Sequence, residues 1–137
     1  MNKGSVLALG IALAMGLSSV AALAEGDAEK GATVFKKRCS TCHTVDKGGK
    51  NKIGPNLFGI YGSKPGLAKA YKYSPSFKQA ADKGLVWNDE AITEYVRDPR
   101  KFIRKASGDA KGKSKMTFKL RKAAERDDLI EYLKTQK

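Results

Sequence analysis

Apolar residues recur at helical spacing in several short runs, separated by stretches where Gly, Lys and Pro break any period. Asp27 stands as the N-cap of a helix running to about Lys37, with Gly31, Val34 and Phe35 along one side. A glycine in mid-helix costs about 1 kcal/mol against alanine; the compensation expected is close approach of another helix. Ser74 with Pro75 at the first helical position predicts a short helix to about Asp82. Asn88 caps the next, from Asp89 to Arg97, with Ile92, Tyr95 and Val96 on one side. Asp98-Pro99 repeats the cap-plus-proline start for a helix to about Arg104 that carries Phe102 and Ile103 inward. The last helix is expected from about Lys122 to Thr135, with Leu129, Ile130, Tyr132 and Leu133 as its apolar face. Residues 44–73 and 105–121 show little periodicity and read as loops. No segment alternates like a strand, so the pattern is all-α.

The first residues are patterned differently. A positive start at Lys3, an apolar run from Val6 to Val20 and the small-residue site Ala22-Leu23-Ala24 read as an export leader over 1–24, cleaved before Glu25. An uncleaved membrane anchor is the alternative, weakened by Gly10, Gly16, Ser18 and Ser19 in the run. Residues 25–137 then form one small domain with a modest core. The formal charge is +13, and loss of the leader removes Lys3 and no acid, lowering it by one. So basic a chain suggests nucleic acid first. Export makes that a poor partner and favours acidic protein faces or anionic membrane surfaces.

The chemistry concentrates in Cys39-Ser40-Thr41-Cys42-His43, a C-x-x-C-H sequence. Two thiols three positions apart can each form a thioether with a haem vinyl group, and the adjacent histidine can bind the iron. A redox disulfide would place the motif at the start of a helix; here a helix-like segment comes before it. A zinc site needs four ligands, and the chain has only two Cys and one His. Covalent haem is the reading best matched, and a flat cofactor would also account for an irregular stretch as long as 44–73. Leu57 and Ile60 could line its pocket.

Within 25–137 His43 is the only histidine and Met116 the only methionine. A His/Met pair is a ligation that raises a haem's potential. Met116 lies in an expected loop, from which a side chain can be swung onto an iron. A gap-filling core methionine is the alternative role, and Lys113 and Lys115 are the fallback ligands.

On these residues the chain resembles the class I cytochromes c, most closely the long-type bacterial cytochromes c2. The likeness rests on Gly31, Phe35, the C-x-x-C-H motif, Gly54-Pro55-Asn56-Leu57, Gly59, Tyr73, Trp87, Tyr95, Pro99, Lys115-Met116, Leu129 and Tyr132, and on the long stretch from Gly108 to Leu120. It implies a small all-α class I cytochrome c fold of about five helices, with long loops wrapped around one covalently bound haem c. It implies attachment through Cys39 and Cys42, and His43 and Met116 as axial ligands. The Pro55 carbonyl would orient His43, Tyr73 and Trp87 would donate to a propionate, and Tyr95 would point its hydroxyl at the Met116 sulfur. Gly31 would let the first and last helices cross against Leu129 and Tyr132. Two residues depart from the pattern. Ser63 stands where many relatives carry an arginine near a propionate, and Glu131 stands where a small residue often lies at the crossing.

The function implied is that of a soluble, monomeric, periplasmic electron carrier and not an enzyme. Its partners would be acidic docking faces of membrane redox complexes. A cytochrome bc1 complex is the donor expected; a terminal oxidase, a photosynthetic reaction centre or a nitrogen-oxide reductase would be the acceptor. A gas-binding or peroxidase-like haem protein, or a module stapled by haem, are the competing classes. In the family the haem edge emerges near the attachment motif and the methionine loop. The docking residues expected there are Arg38, Lys50, Lys52, Lys113, Lys115 and Lys119, with Phe118 as the apolar centre.

Overall fold

The structure, a computed structural model, describes residues 25–137. The leader expected over 1–24 lies outside the described residues. The described chain runs α1 (Ala28–Val34), a π turn (Phe35–Cys39), α2 (Pro75–Asp82), α3 (Asp89–Arg97), α4 (Pro99–Ser107) and α5 (Ala123–Thr135), and holds no strand.

Side-chain caps start four of these helices. The Asp27 carboxylate accepts from the N–H groups of Glu29 and Lys30, Ser74 Oγ from Phe77, Asn88 Oδ1 from Ala91 and Asp98 Oδ1 from Lys101. Each cap contributes on the order of 1 kcal/mol by pairing an otherwise free donor. Two helix ends differ from the sequence reading. α1 does not stop at Lys37 but widens into the π turn, which carries the chain to Cys39. α4 runs on to Ser107, where Gly108, at φ 73°, ends it in a left-handed cap with its N–H on the Arg104 carbonyl.

α1 and α5 cross at Gly31. A Cβ at that position would lie 1.9 Å from the Asp128 carbonyl oxygen and 2.7 Å from Tyr132 Cβ, so backbone meets backbone there. Phe35 reaches the same helix, with its ring centroid 5.7 Å from that of Tyr132. Glu131 does not enter the crossing; it pairs with Lys134 at 2.6 Å, and Lys134 also reaches Asp89 at 3.0 Å. α4 buries Phe102 and Ile103, and with Ile92, Trp87, Leu120, Leu129, Ile130 and Leu133 they form the core.

The stretch 44–73 has no helix or strand, and side chains hold its backbone instead. Asn56 Nδ2 donates to Thr44 Oγ1 at 2.7 Å and to the Asp46 carbonyl at 3.0 Å, while Asn51 Oδ1 accepts from Asn56 N–H at 2.9 Å. Gly59 N–H donates to the Gln136 carbonyl at 2.7 Å, and Gly62 N–H to the Trp87 carbonyl at 2.7 Å. The loop is thereby tied to the end of α5 and to the segment leading into α3.

Candidate haem site

The π turn ends on Cys39, and the tight bend that follows it carries Cys42 and His43. The N–H groups of Cys42 and His43 both donate to the Cys39 carbonyl, at 3.0 and 2.9 Å. His43 Nδ1 donates to the Pro55 carbonyl at 2.8 Å. A carbonyl can only accept, so the proton sits on Nδ1 and Nε2 keeps its lone pair for a metal. Burial lowers the His43 pKa, partly offset by the Pro55 carbonyl, which favours the neutral, ligating ring. Gly54 makes room for that ring, since a Cβ there would lie 2.3 Å from His43 Cε1. Gly54 N–H also donates to the Cys42 carbonyl at 2.8 Å, which closes the loop against the motif.

The competing uses of the cysteines find no support. Burial, then the neighbouring Cys42, push the Cys39 thiol up to about 11, the opposite of the depressed pKa of an exchange-active thiol. Among the described residues no three His, Cys, Asp or Glu side chains gather as a zinc ion would require.

Cys39, Cys42 and His43 line a cavity of about 230 Å³. Pro55, Leu57, Ile60, Tyr73, Trp87, Tyr95, Met116, Leu129 and Leu133 line it too. Every haem-environment residue expected from the resemblance is therefore on its wall. Phe77 was missed by the sequence reading; it stacks on Tyr73 with ring centroids 4.8 Å apart and lies 6.0 Å from Trp87. The wall fits a flat apolar ring with a carboxylate to accommodate. Trp87 is 4% exposed, and its Nε1 is buried with no hydrogen-bond partner among the described residues. A buried orphan donor costs roughly 1–3 kcal/mol, a loss that a haem propionate would remove. The Tyr73 hydroxyl oxygen accepts from Ala68 N–H at 3.2 Å, so its own proton remains free to donate.

One expected contact is corrected. The Tyr95 hydroxyl does not hydrogen-bond the Met116 sulfur; its partner is Ser114 Oγ at 3.4 Å, and Ser114 in turn donates to the Met116 carbonyl at 3.0 Å. Tyr95 thus reaches the methionine's backbone through Ser114. Burial pushes its phenol up to about 12. Ser63 turns its hydroxyl onto the Ile60 carbonyl at 2.7 Å and supplies no charge to the cavity.

The basic residues expected at the rim divide into three groups. Arg38 pairs with Glu125 at 3.8 Å, and Lys119 with Asp98 at 2.6 Å, which lowers the Asp98 pKa. Lys52 donates to the Ser40 carbonyl at 2.6 Å; Lys115 donates to the Lys72 carbonyl and lies 5.5 Å from the centre of the Tyr71 ring. Lys50 and Lys113 are exposed, with no recorded side-chain partner among the described residues. Two exposed apolar residues line the cavity, Phe118 at 41% and Ile53 at 77%. Ile53 was not singled out from sequence, because a lone isoleucine among Lys and Gly has no periodic partner.

Comparison with known proteins agrees with this geometry. The cytochrome c family model matches residues 28–137. The chain is 50% identical to a cytochrome c2 of Rhodospirillum rubrum over 137 residues, which is 100% of both chains. It is 51% identical to cytochrome c-550 of Novispirillum itersonii over 112 residues, 82% of this chain and 100% of that one. A solved cytochrome c2 from Rhodospirillum centenum superposes with a TM-score of 0.76 at 41% identity, covering 81% of this chain and 98% of that one. The family match, these likenesses and a cavity that gathers two thiols, an imidazole and a thioether place the chain in the cytochrome c family, as a class I, c2-type electron carrier with one covalently bound haem c.

Proposed function

We propose that the protein is a monomeric periplasmic shuttle that carries one electron at a time between membrane redox complexes. A cytochrome bc1 complex is its donor, and a terminal oxidase, a photosynthetic reaction centre or a nitrogen-oxide reductase its acceptor. Residues 1–24 are the leader that exports it. The observation that carries this reading is that His43 and Met116 both line one largely apolar cavity. Both would be offered to the haem iron, which would leave it no place for a substrate.

When bound, the haem supplies a one-electron couple at its iron. Cys39 and Cys42 fasten it, and His43, its ring fixed by Pro55, offers Nε2. Met116 offers a thioether, which favours the reduced metal. Trp87 Nε1 and the Tyr73 hydroxyl would hold a propionate. Phe77 and Tyr95 keep water from the ring, since in a low-dielectric wall the couple is set by the protein.

The rim explains how such a carrier meets partners. Ile53 and Phe118 offer a small apolar contact, flanked in sequence by Lys50, Lys52, Lys113, Lys115 and Lys119, and Arg38 lines the same cavity. A weak, steered encounter releases quickly, and its steering is screened by salt. The second-order rate with an acidic redox partner is expected to fall at least tenfold between low and physiological salt. Lys52→Glu and Lys115→Glu should each slow it more than Lys30→Glu on α1. Lys134 is a poor control, because Asp89 and Glu131 hold it. Stopped-flow rates indifferent to salt, or equal losses at all three lysines, would remove the basic rim as the docking face.

A further inference from the structure

Ser74, the N-cap of α2, and Ser76 in its first turn are buried, at 8% and 7% exposure. A buried hydroxyl is tolerated where its hydrogen bonds are made, and both of these serve the same residue of the methionine loop. Ser74 Oγ donates to the Lys113 carbonyl at 2.9 Å, and Lys113 N–H donates to Ser76 Oγ at 3.2 Å. The Ser76 proton goes to Asp109 Oδ2 at 3.3 Å. Ser74 Oγ also accepts from Phe77 N–H at 3.2 Å, so one hydroxyl both caps α2 and grips the loop. Gly112 allows the approach, for a Cβ there would lie 3.3 Å from Ser76 Cβ and 2.9 Å from the Asp109 carbonyl oxygen.

The clamp sits just ahead of Met116 in a segment with no regular structure of its own. Between the two, Ser114 donates to the Met116 carbonyl. The turn of α2 that makes the clamp also carries Phe77, which packs against Tyr73, Trp87 and Tyr95. The aromatic wall of the cavity and the methionine loop therefore share one support.

We propose that Ser74 and Ser76 are positioning residues for Met116, and that their two-point clamp on Lys113 sets how readily the loop swings away from the cavity. This rests on Met116 being an iron ligand. Loop opening then governs how well an outside ligand competes for the iron. The two serines do not touch the metal; they act through the backbone at Lys113.

The test is imidazole titration of the ferric holoprotein, followed by the weak far-red sulfur–iron charge-transfer band. Ser76→Ala removes one arm of the clamp. Ser74→Asp keeps the helix cap, because a carboxylate accepts from Phe77 N–H, but it has no proton for the Lys113 carbonyl. Each is expected to lower the apparent imidazole Kd about tenfold. Ser74→Thr, which retains both bonds, should stay within twofold of the parent. Asp27→Ala, which removes the cap of α1, should lower the melting temperature and leave imidazole affinity unchanged. A parent protein without the far-red band removes Met116 as a ligand, and the proposal with it. A band present in the parent, with imidazole affinity within twofold in Ser76→Ala and Ser74→Asp, overturns the clamp alone. Where a variant does not take up haem, amide exchange at Lys113 in the unsubstituted holoprotein decides: protection supports the clamp, and exchange at the rate of an open loop overturns it.

Discussion

Met116→Ala is expected to abolish the far-red sulfur–iron band and to lower the midpoint potential by on the order of 100 mV or more, at roughly 59 mV per tenfold change in a one-electron equilibrium. Met116 is the only thioether in 25–137 and lines the same cavity as His43. A thioether stabilises reduced iron relative to water or an amine, so its loss favours the oxidised form. Lysine could fill the place, and the two nearest differ in freedom. Lys115 is engaged by the Lys72 carbonyl and the Tyr71 ring, whereas the Lys113 ammonium has no partner among the described residues but its backbone is clamped. Capture by either would keep the iron six-coordinate without restoring the band. An unchanged spectrum and potential in Met116→Ala would remove this residue from the metal and return it to a packing role.

Gly31→Ala is expected to lower the melting temperature of the holoprotein by roughly 5–10 °C. Two effects of opposite sign compete. Alanine is favoured over glycine in a helix interior by about 1 kcal/mol. Against that, the new Cβ would stand 1.9 Å from the Asp128 carbonyl oxygen and 2.7 Å from Tyr132 Cβ. The nearest obstacle is backbone, which cannot rotate aside, so α1 and α5 must separate along their crossing. Overpacking of this kind costs typically 1–3 kcal/mol and sometimes more, and here separation also loosens Phe35 from Tyr132. Strain therefore outweighs propensity. A thermal melt by circular dichroism that is unchanged or raised would mean that the crossing is looser than it stands.

Four of the helix starts are legible in the sequence because each carries its own local signal, which α5, uncapped at Lys122, lacks. Asp27, Ser74, Asn88 and Asp98 are short polar side chains placed before an apolar run, and all four cap. The ends are less legible. Nothing in Phe35 to Cys39 announces a π turn, which follows from how the attachment motif must sit against its neighbours. Gly108 was available as a stop signal for α4, but the basic residues before it read as loop. Arg126 shows a different failure. A charged residue is expected in water, yet this one is 8% exposed and donates to the carbonyls of Leu120 and Arg121, pinning the chain as it leaves the methionine loop.

At the site, the motif names its own chemistry, since two thiols and a histidine at that spacing have few uses. The partners of the aromatic residues have no such signature. Ser114 standing between Tyr95 and the methionine backbone, and Ser74 reaching Lys113 across the fold, are contacts that only three dimensions assemble. Gly26 belongs with them, because a Cβ there would lie 2.2 Å from the Asp127 backbone; no periodicity marks that second close approach of the chain to α5.

The most direct measurement is the intact mass of the protein purified from its native host, taken under denaturing conditions after treatment with a thiol-alkylating reagent. The expected result is the mass of residues 25–137 plus one haem, with no alkyl group added at Cys39 or Cys42. A chain that loses its pigment to acid–acetone and takes up alkyl groups at both cysteines would contradict covalent attachment, and with it the roles assigned to this site.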